Sequence, residues 1–266
     1  PRQAVVFFAA DPEIESVNSS EPPPSMPDRY ALVTGSNRGL GLEFTRQLLD
    51  RGDHVLATCR QPDAADALHT LAQRYPERVH LVALDVADET SIEQAFRAVE
   101  SETDALHLLL NNAGINGGGR ADRFGGLDPD RMARVFRVNA IGPALVAQRA
   151  TDLMTAAAAS ERLPTVVNVT SALGSIEQTR SASAWQSYRA SKAALNMLTR
   201  CMAFDFESRG VLAVAITPGW VQTDMGGAGA TLTPEGSVRN VLAVLDDLSL
   251  ADRGAFLSWE GQTVPW

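Results

Sequence analysis

Tyr30-Ala31-Leu32-Val33-Thr34-Gly35-Ser36-Asn37-Arg38-Gly39-Leu40-Gly41 decides the architecture of this 266-residue chain. The first four residues form a short apolar run, the length of a buried strand. A glycine-bearing turn follows, and a helical pattern opens at residue 40 and runs to residue 51. Glycines in such a turn allow a sharp bend and let the backbone N–H groups at a helix N-terminus approach a pyrophosphate. The spacing alone is a weak signal. Its position at the first strand–helix junction gives it weight, and marks Gly35, Asn37, Arg38, Gly39, Leu40 and Gly41 as candidate cofactor-binding residues.

Outward from this stretch the pattern alternates. Apolar strands are predicted at 54–58, 79–84, 106–110, 165–169, 211–216 and 255–259. Helices are predicted between them at 63–75, 91–102, 128–153, 187–208 and 234–245. Nearly continuous apolar strands separated by helices mean a parallel sheet covered on both faces. The expected fold is therefore α/β, a doubly wound parallel sheet of about seven strands in a single domain over 29–266. Residues 1–28 read as an acidic, proline-rich tail, with Pro22-Pro23-Pro24 near its end. Its apolar run at 4–10 is marginal for a secretion signal, so an extension ahead of the folded unit is expected.

A formal net charge of −9 argues against nonspecific nucleic-acid binding, which needs a basic surface. No stretch reaches the length of a membrane span. The two cysteines form no C-x-x-C, and the four histidines lack metal-ligand spacing. A cytoplasmic protein without a metal site is the expectation.

The charge pattern also bears on cofactor identity. NAD binders place an acid at the end of the second strand, where it bonds the ribose 2′-hydroxyl. Here that position reads Ala57-Thr58-Cys59-Arg60, with no acid before Asp63. Arg60 and Arg38 instead suit a 2′-phosphate, whose oxygens match guanidinium forks. NADP(H) is therefore expected.

Lys192 is the only lysine among 23 lysine and arginine residues, and it follows Tyr188 by one helical turn. Lysine offers a compact ammonium that arginine's planar fork does not reproduce. A nearby ammonium, together with the positive nicotinamide of the oxidised cofactor, favours a phenolate, so a tyrosine pKa ordinarily near 10 is expected to be lowered toward a proton-transferring range.

Taken together, Thr34-Gly35-x-x-x-Gly39-x-Gly41, Asn111-Asn112-Ala113-Gly114 and Tyr188-x-x-x-Lys192 resemble the short-chain dehydrogenase/reductase family. Asn139, Ser171 and Pro218-Gly219 fall in the same order. The likeness covers 29–266 and implies a Rossmann domain. It is greatest to the C-factor and sniffer-type carbonyl reductase branch, through the segments starting at Ser171, Tyr188 and Pro218 and the closing Pro265-Trp266.

The resemblance implies that Tyr188 is the general acid in carbonyl reduction and that Lys192 tunes it and bonds the nicotinamide ribose. Ser171 would hold the substrate oxygen, and Asn139 would link lysine and water in a proton relay. Asp85 and Val86 would flank the adenine. Asn112, Ala113 and Gly114 would pack against the cofactor, while Pro218, Gly219, Val221 and Thr223 would cover the nicotinamide. Residues 226–231 would form a mobile lid. Ser171 stands 17 positions before Tyr188, a wider gap than is common in the family, and Ser175 fits that spacing better by count. Ser171 is preferred because it ends the fifth strand.

The implied activity is NADPH-dependent reduction of an aldehyde or ketone. The same site running alcohol oxidation, or a cofactor-binding C-factor-like signalling protein, stays open as an alternative. The substrate pocket would be built from 115–126, 174–185 and 226–233, with Trp185 and Trp220 as aromatic walls. A homodimer or homotetramer through the helices at 128–153 and 187–208 is implied as well.

Overall fold

The computed structural model describes residues 29–266 apart from 161, 182 and 183. The tail read at 1–28, and two residues of the 174–185 segment, lie outside the described residues. Seven parallel strands form one sheet: β1 (Tyr30–Thr34), β2 (His54–Cys59), β3 (Val79–Ala83), β4 (Leu108–Asn111), β5 (Thr165–Val169), β6 (Leu212–Thr217) and β7 (Phe256–Ser258). Their order is β3-β2-β1-β4-β5-β6-β7. The chain winds outward from β1 to β3 and then crosses to the other side of β1 at β4. The crevice for a ligand in such a sheet opens at that reversal, beyond the carboxyl ends of β1 and β4.

Side chains alternate across each strand, and this sorts them into two cores. Ala31 and Val33 of β1 and Leu108 and Leu110 of β4 join Phe44, Leu48, Leu68 and Val241 on one face. That face is covered by α1 (Gly39–Asp50), α2 (Asp66–Arg74) and α7 (Pro234–Asp246). Leu32 and Leu109 point the other way, toward Ile92, Phe96, Val146, Ala150 and Phe206. There α3 (Glu89–Glu102), α5 (Gly142–Ala157) and α6 (Gln186–Glu207) cover the sheet. The doubly wound expectation is met.

Boundaries move by a few residues, and two elements differ in kind. The helix expected at 63–75 is a 3-10 turn, Pro62–Ala64, followed by α2. The helix expected at 128–153 is α4 (Pro129–Phe136) and α5 joined by a π-helical turn, Arg137–Ile141. Asn139 sits in that turn, where one extra residue widens the helix, a deviation that often marks functional sites. Among the described residues, no helix is long and apolar enough to cross a membrane.

Candidate active site

Thr34 organises the floor of the crevice. Its hydroxyl accepts from the backbone N–H groups of Asn112 and Ala113, each at 3.0 Å. The Asn112 amide reaches back to the carbonyls of Thr34 and Gly35, at 2.9 and 3.3 Å. The ends of β1 and β4 are thereby stitched together. The Asn112 side-chain nitrogen is committed to this stitch.

The turn above is shaped by its glycines. Gly35 has φ +71°, a left-handed conformation that suits glycine. A Cβ on Gly41 would stand 2.1 Å from the Gly35 carbonyl oxygen. Gly39 then opens α1 behind Arg38, and no side chain caps the helix. Asn37 and Arg38 are exposed and Leu40 is half-buried. An uncapped helix N-terminus with glycine backbone around it fits a pyrophosphate, because the first N–H groups of a helix need partners from outside.

The second-strand edge lies alongside. Ser36 N–H donates to Thr58 O at 2.9 Å, so Arg60 emerges two residues beyond that contact. Its side chain is exposed and makes no hydrogen bond or ion pair among the described residues. Arg38 lies 3.4 Å from Asp224, across the mouth of the crevice. On the same rim the half-buried Asp85 uses one carboxylate oxygen to accept from Ala87 N–H, while Val86 is buried.

On the other side of the crevice stand the residues with transferable protons. Ser171 follows β5 and caps a 3-10 turn, accepting from Leu173 N–H at 3.1 Å. Its hydroxyl lies near the phenol of Tyr188, close enough to favour the phenolate. Tyr188 and Lys192 share one face of α6, both buried, with the ammonium nitrogen 5.8 Å from the ring centre. Lys192 Nζ donates to Val169 O, the last residue of β5, at 2.7 Å. A Cβ on Gly114 would come within 3.8 Å of that nitrogen and 3.4 Å of Asn139 Oδ1, so Gly114 borders the lysine.

Burial dominates the electrostatics. It pushes the Tyr188 phenol above 10, with the Ser171 hydroxyl pulling the other way. It pushes the Lys192 ammonium down to about 8. The lowered phenol expected from the sequence is not found in the chain alone, because desolvation penalises both charged forms. Asn139 is held through its side chain. Its amide nitrogen donates to Ile115 O and Ser191 Oγ, and its oxygen accepts from Ile115 N–H. The side chain thus ties the strand-following loop to α6.

Ser175 is turned away from the phenol. Its buried hydroxyl bonds the carbonyls of Pro265 and Trp266, at 2.6 and 3.2 Å. Trp185 lies edge-on to Tyr188, with ring centres 6.5 Å apart, while Trp220 is exposed on the opposite rim.

That rim is the 218–232 segment. Gly219 has φ +82°, and the Pro218 carbonyl accepts from Ser237 Oγ at 2.6 Å. Buried Val221 is bridged to Leu232, and the Thr223 methyl approaches Gly39 at the start of α1. The stretch expected as a lid is closed by its own bonds. Trp220 Nε1 donates to Gly226 O at 2.8 Å, and Gln222 Nε2 donates to Ala230 O at 3.0 Å.

Two connections in this site carry no local sequence signal: the Thr34 stitch and the Ser175 clamp. Each depends on partners many residues away.

Comparison with known proteins agrees with this geometry. The chain matches the short chain dehydrogenase family over residues 29–231. It is 42% identical to C-signal of Myxococcus xanthus over 164 residues, covering 62% of this chain and 95% of that protein. Among solved structures it is similar to an NADPH-bound carbonyl reductase from chicken fatty liver. That likeness has 39% identity and a TM-score of 0.83, covering 90% of this chain and 99% of that one. It is also similar to the carbonyl reductase Sniffer of D. melanogaster, at 28% identity and a TM-score of 0.85, covering 90% and 100%. With a seven-stranded parallel sheet, a glycine turn at its switch point and a family match over most of its length, the chain belongs to the short chain dehydrogenase family.

Proposed function

We propose that the chain reduces an aldehyde or ketone to an alcohol using NADPH. The observation that carries this reading is the meeting of Ser171, Tyr188 and Lys192 beside the glycine turn. A hydroxyl, a phenol and an ammonium are gathered at the carboxyl edge of the sheet. The carbonyl reductase neighbours, one of them NADPH-bound, support the same direction.

The turn at 35–41 would hold the pyrophosphate, with Arg60 and Arg38 at the 2′-phosphate. Asp85 and Val86 would border the adenine. Ala113 and Gly114 would pack below, and Pro218, Gly219, Val221 and Thr223 would cover the nicotinamide side. Bound NADPH supplies the hydride. Ser171 holds the carbonyl oxygen of the substrate, and Tyr188 gives its proton to that oxygen as charge develops. A phenol kept protonated by burial is ready to donate at neutral pH. Lys192, held by Val169, stabilises the phenolate left behind. Asn139 keeps Ile115 and Ser191 in place around the lysine, a wall of the relay rather than a carrier through its own amide.

The test is NADPH consumption by the purified chain across a panel of aldehydes and ketones. Turnover is expected, and Tyr188→Phe should lower it by on the order of a hundredfold or more while NADPH still binds. Unchanged turnover in that variant would overturn the assignment.

The likeness to C-signal favours a second reading, a cofactor-binding signalling protein. NADPH binding with no turnover on the whole panel, in either direction, is the result that would favour it.

A further inference from the structure

The helix that carries Tyr188 and Lys192 starts without a cap of its own. Its N-cap position is Trp185, whose φ of +72° is left-handed and whose side chain makes no capping bond. Trp185 is the only non-glycine residue with positive φ among the described residues. Such backbone costs free energy and persists where surrounding contacts hold it.

Those contacts come from one residue in the loop after β4. The main-chain oxygen of Asp122 accepts from Trp185 N–H at 2.7 Å and from Gln186 N–H at 3.1 Å. Its carboxylate accepts from Ser187 N–H at 2.8 Å and from Ser187 Oγ at 2.6 Å, across 65 positions of sequence. The Asp122 side chain is completely buried. A carboxylate so placed is costly unless its partners are good. Here it meets the positive end of a 22-residue helix and the donors that such an end leaves open.

The loop itself lies tight against the helices. Both main-chain groups of Ile115 are bonded to Asn139. A Cβ on Gly117 would fall 2.5 Å from Val135 Cγ2 and 3.8 Å from Ser187 Cβ. Two residues beyond Asp122, Phe124 is 86% exposed. One short segment therefore anchors the helix start and also presents a large apolar side chain outward.

We infer that Asp122 is the positioning residue for Tyr188. Through Ser187, the immediate neighbour of the tyrosine, and through the left-handed Trp185 packed edge-on to its ring, Asp122 sets where α6 begins. It thereby sets where the phenol stands relative to Ser171 and Lys192. The loop after β4 and the first turn of α6 move as one unit. This inference rests on the reading of Tyr188 as proton donor.

The test compares Asp122→Ala, Asp122→Asn and Ser187→Ala in the full chain. Asparagine keeps an acceptor for Ser187 N–H, and the serine hydroxyl can turn to accept from its amide. The Asp122→Ala change should lower kcat by on the order of ten- to a hundredfold, with the Kd for NADPH held within about threefold. Asp122→Asn should recover most of that loss. A kcat for Asp122→Ala within about twofold of the parent would overturn the inference. So would an asparagine variant no better than alanine.

If Asp122→Ala yields no folded protein, Ser187→Ala carries the test. A smaller fall in kcat at unchanged NADPH affinity is expected, and an unchanged kcat overturns it. Amide hydrogen exchange gives a readout independent of turnover. The Asp122→Ala chain, or Ser187→Ala in its place, should exchange faster both at 115–127 and in the first turn of α6. If the parent reduces no carbonyl, the proposed function fails and exchange alone decides. Unchanged exchange in the first turn of α6 would then sink the positioning role.

Discussion

The ammonium of Lys192 donates to the main-chain oxygen of Val169 at 2.7 Å, tying the second turn of α6 to the last residue of β5. This contact gives the one lysine of the chain a buried main-chain partner. The space is narrow. A Cβ on Gly174 would stand 2.9 Å from Lys192 Cβ, so the stem is enclosed from its root. A point donor on a slim chain reaches the Val169 oxygen there, and a planar fork would present its donors in a different geometry.

Lys192→Arg should therefore behave as a radical change despite conserving charge. Carbonyl reduction is expected to fall by on the order of a hundredfold or more, because the cation is displaced from the phenol. Steady-state kinetics with NADPH check this. A near-normal rate would return the lone lysine to coincidence.

Lys192→Met should separate stability from activity. Burial lowers the ammonium from 10.5 to about 8. Below about 8, folded and unfolded chains both carry the charge, and the folded chain bears its full desolvation penalty. Between about 8 and 10.5 the unfolded chain binds more protons, so this group's contribution to stability rises with pH there. Removing the charge should stabilise the protein at neutral pH by about 2 kcal/mol, after the lost bond to Val169 offsets part of the gain. The advantage over the parent should shrink as pH rises through that window. Urea unfolding of both proteins across this pH range checks the sign, and activity should be lost throughout.

The two serines should give opposite phenotypes. Ser171 lies beside the phenol, where it would hold the substrate oxygen, so Ser171→Ala should cost most of kcat with little change in stability. Ser175 clamps the carbonyls of Pro265 and Trp266 and receives Gln178 N–H. Ser175→Ala should lower stability by about 1–2 kcal/mol through unsatisfied backbone groups, while leaving turnover largely in place. Paired kinetics and denaturant melts decide the assignment, which fails if only Ser175→Ala abolishes turnover.

What was legible in the sequence was local. The apolar run at 30–33, the glycines at 35, 39 and 41, and the i,i+4 placement of Tyr188 and Lys192 each depend on neighbours within a turn or two. The sheet follows from repeating that local pattern. The parts that escaped are long-range. Asp122 caps a helix 65 positions away, and Ser175 holds a carbonyl 90 positions on. Tertiary packing, rather than propensity, places these groups, and in the chain by itself it also raises the Tyr188 phenol.

Cofactor preference tests how the two rim arginines divide their work. Arg38 already faces Asp224 at 3.4 Å, both side chains largely exposed, whereas Arg60 has no partner among the described residues. An exposed pair is worth at most about 1 kcal/mol, so Asp224 competes only modestly for Arg38. It still leaves Arg60 the freer fork for a 2′-phosphate. Arg60→Ala should weaken NADPH binding by roughly tenfold, as expected for one lost charge-assisted bond, with NADH affinity nearly unchanged. Arg38→Ala should cost less. Replacing Arg60 by aspartate should go further and favour NADH, since an acid at the end of β2 bonds a ribose hydroxyl and repels a phosphate. Fluorescence titration of both cofactors against the three variants checks the order. A larger loss at Arg38 than at Arg60 would move the phosphate site to the helix side of the turn, and equal losses for NADPH and NADH would remove it from both.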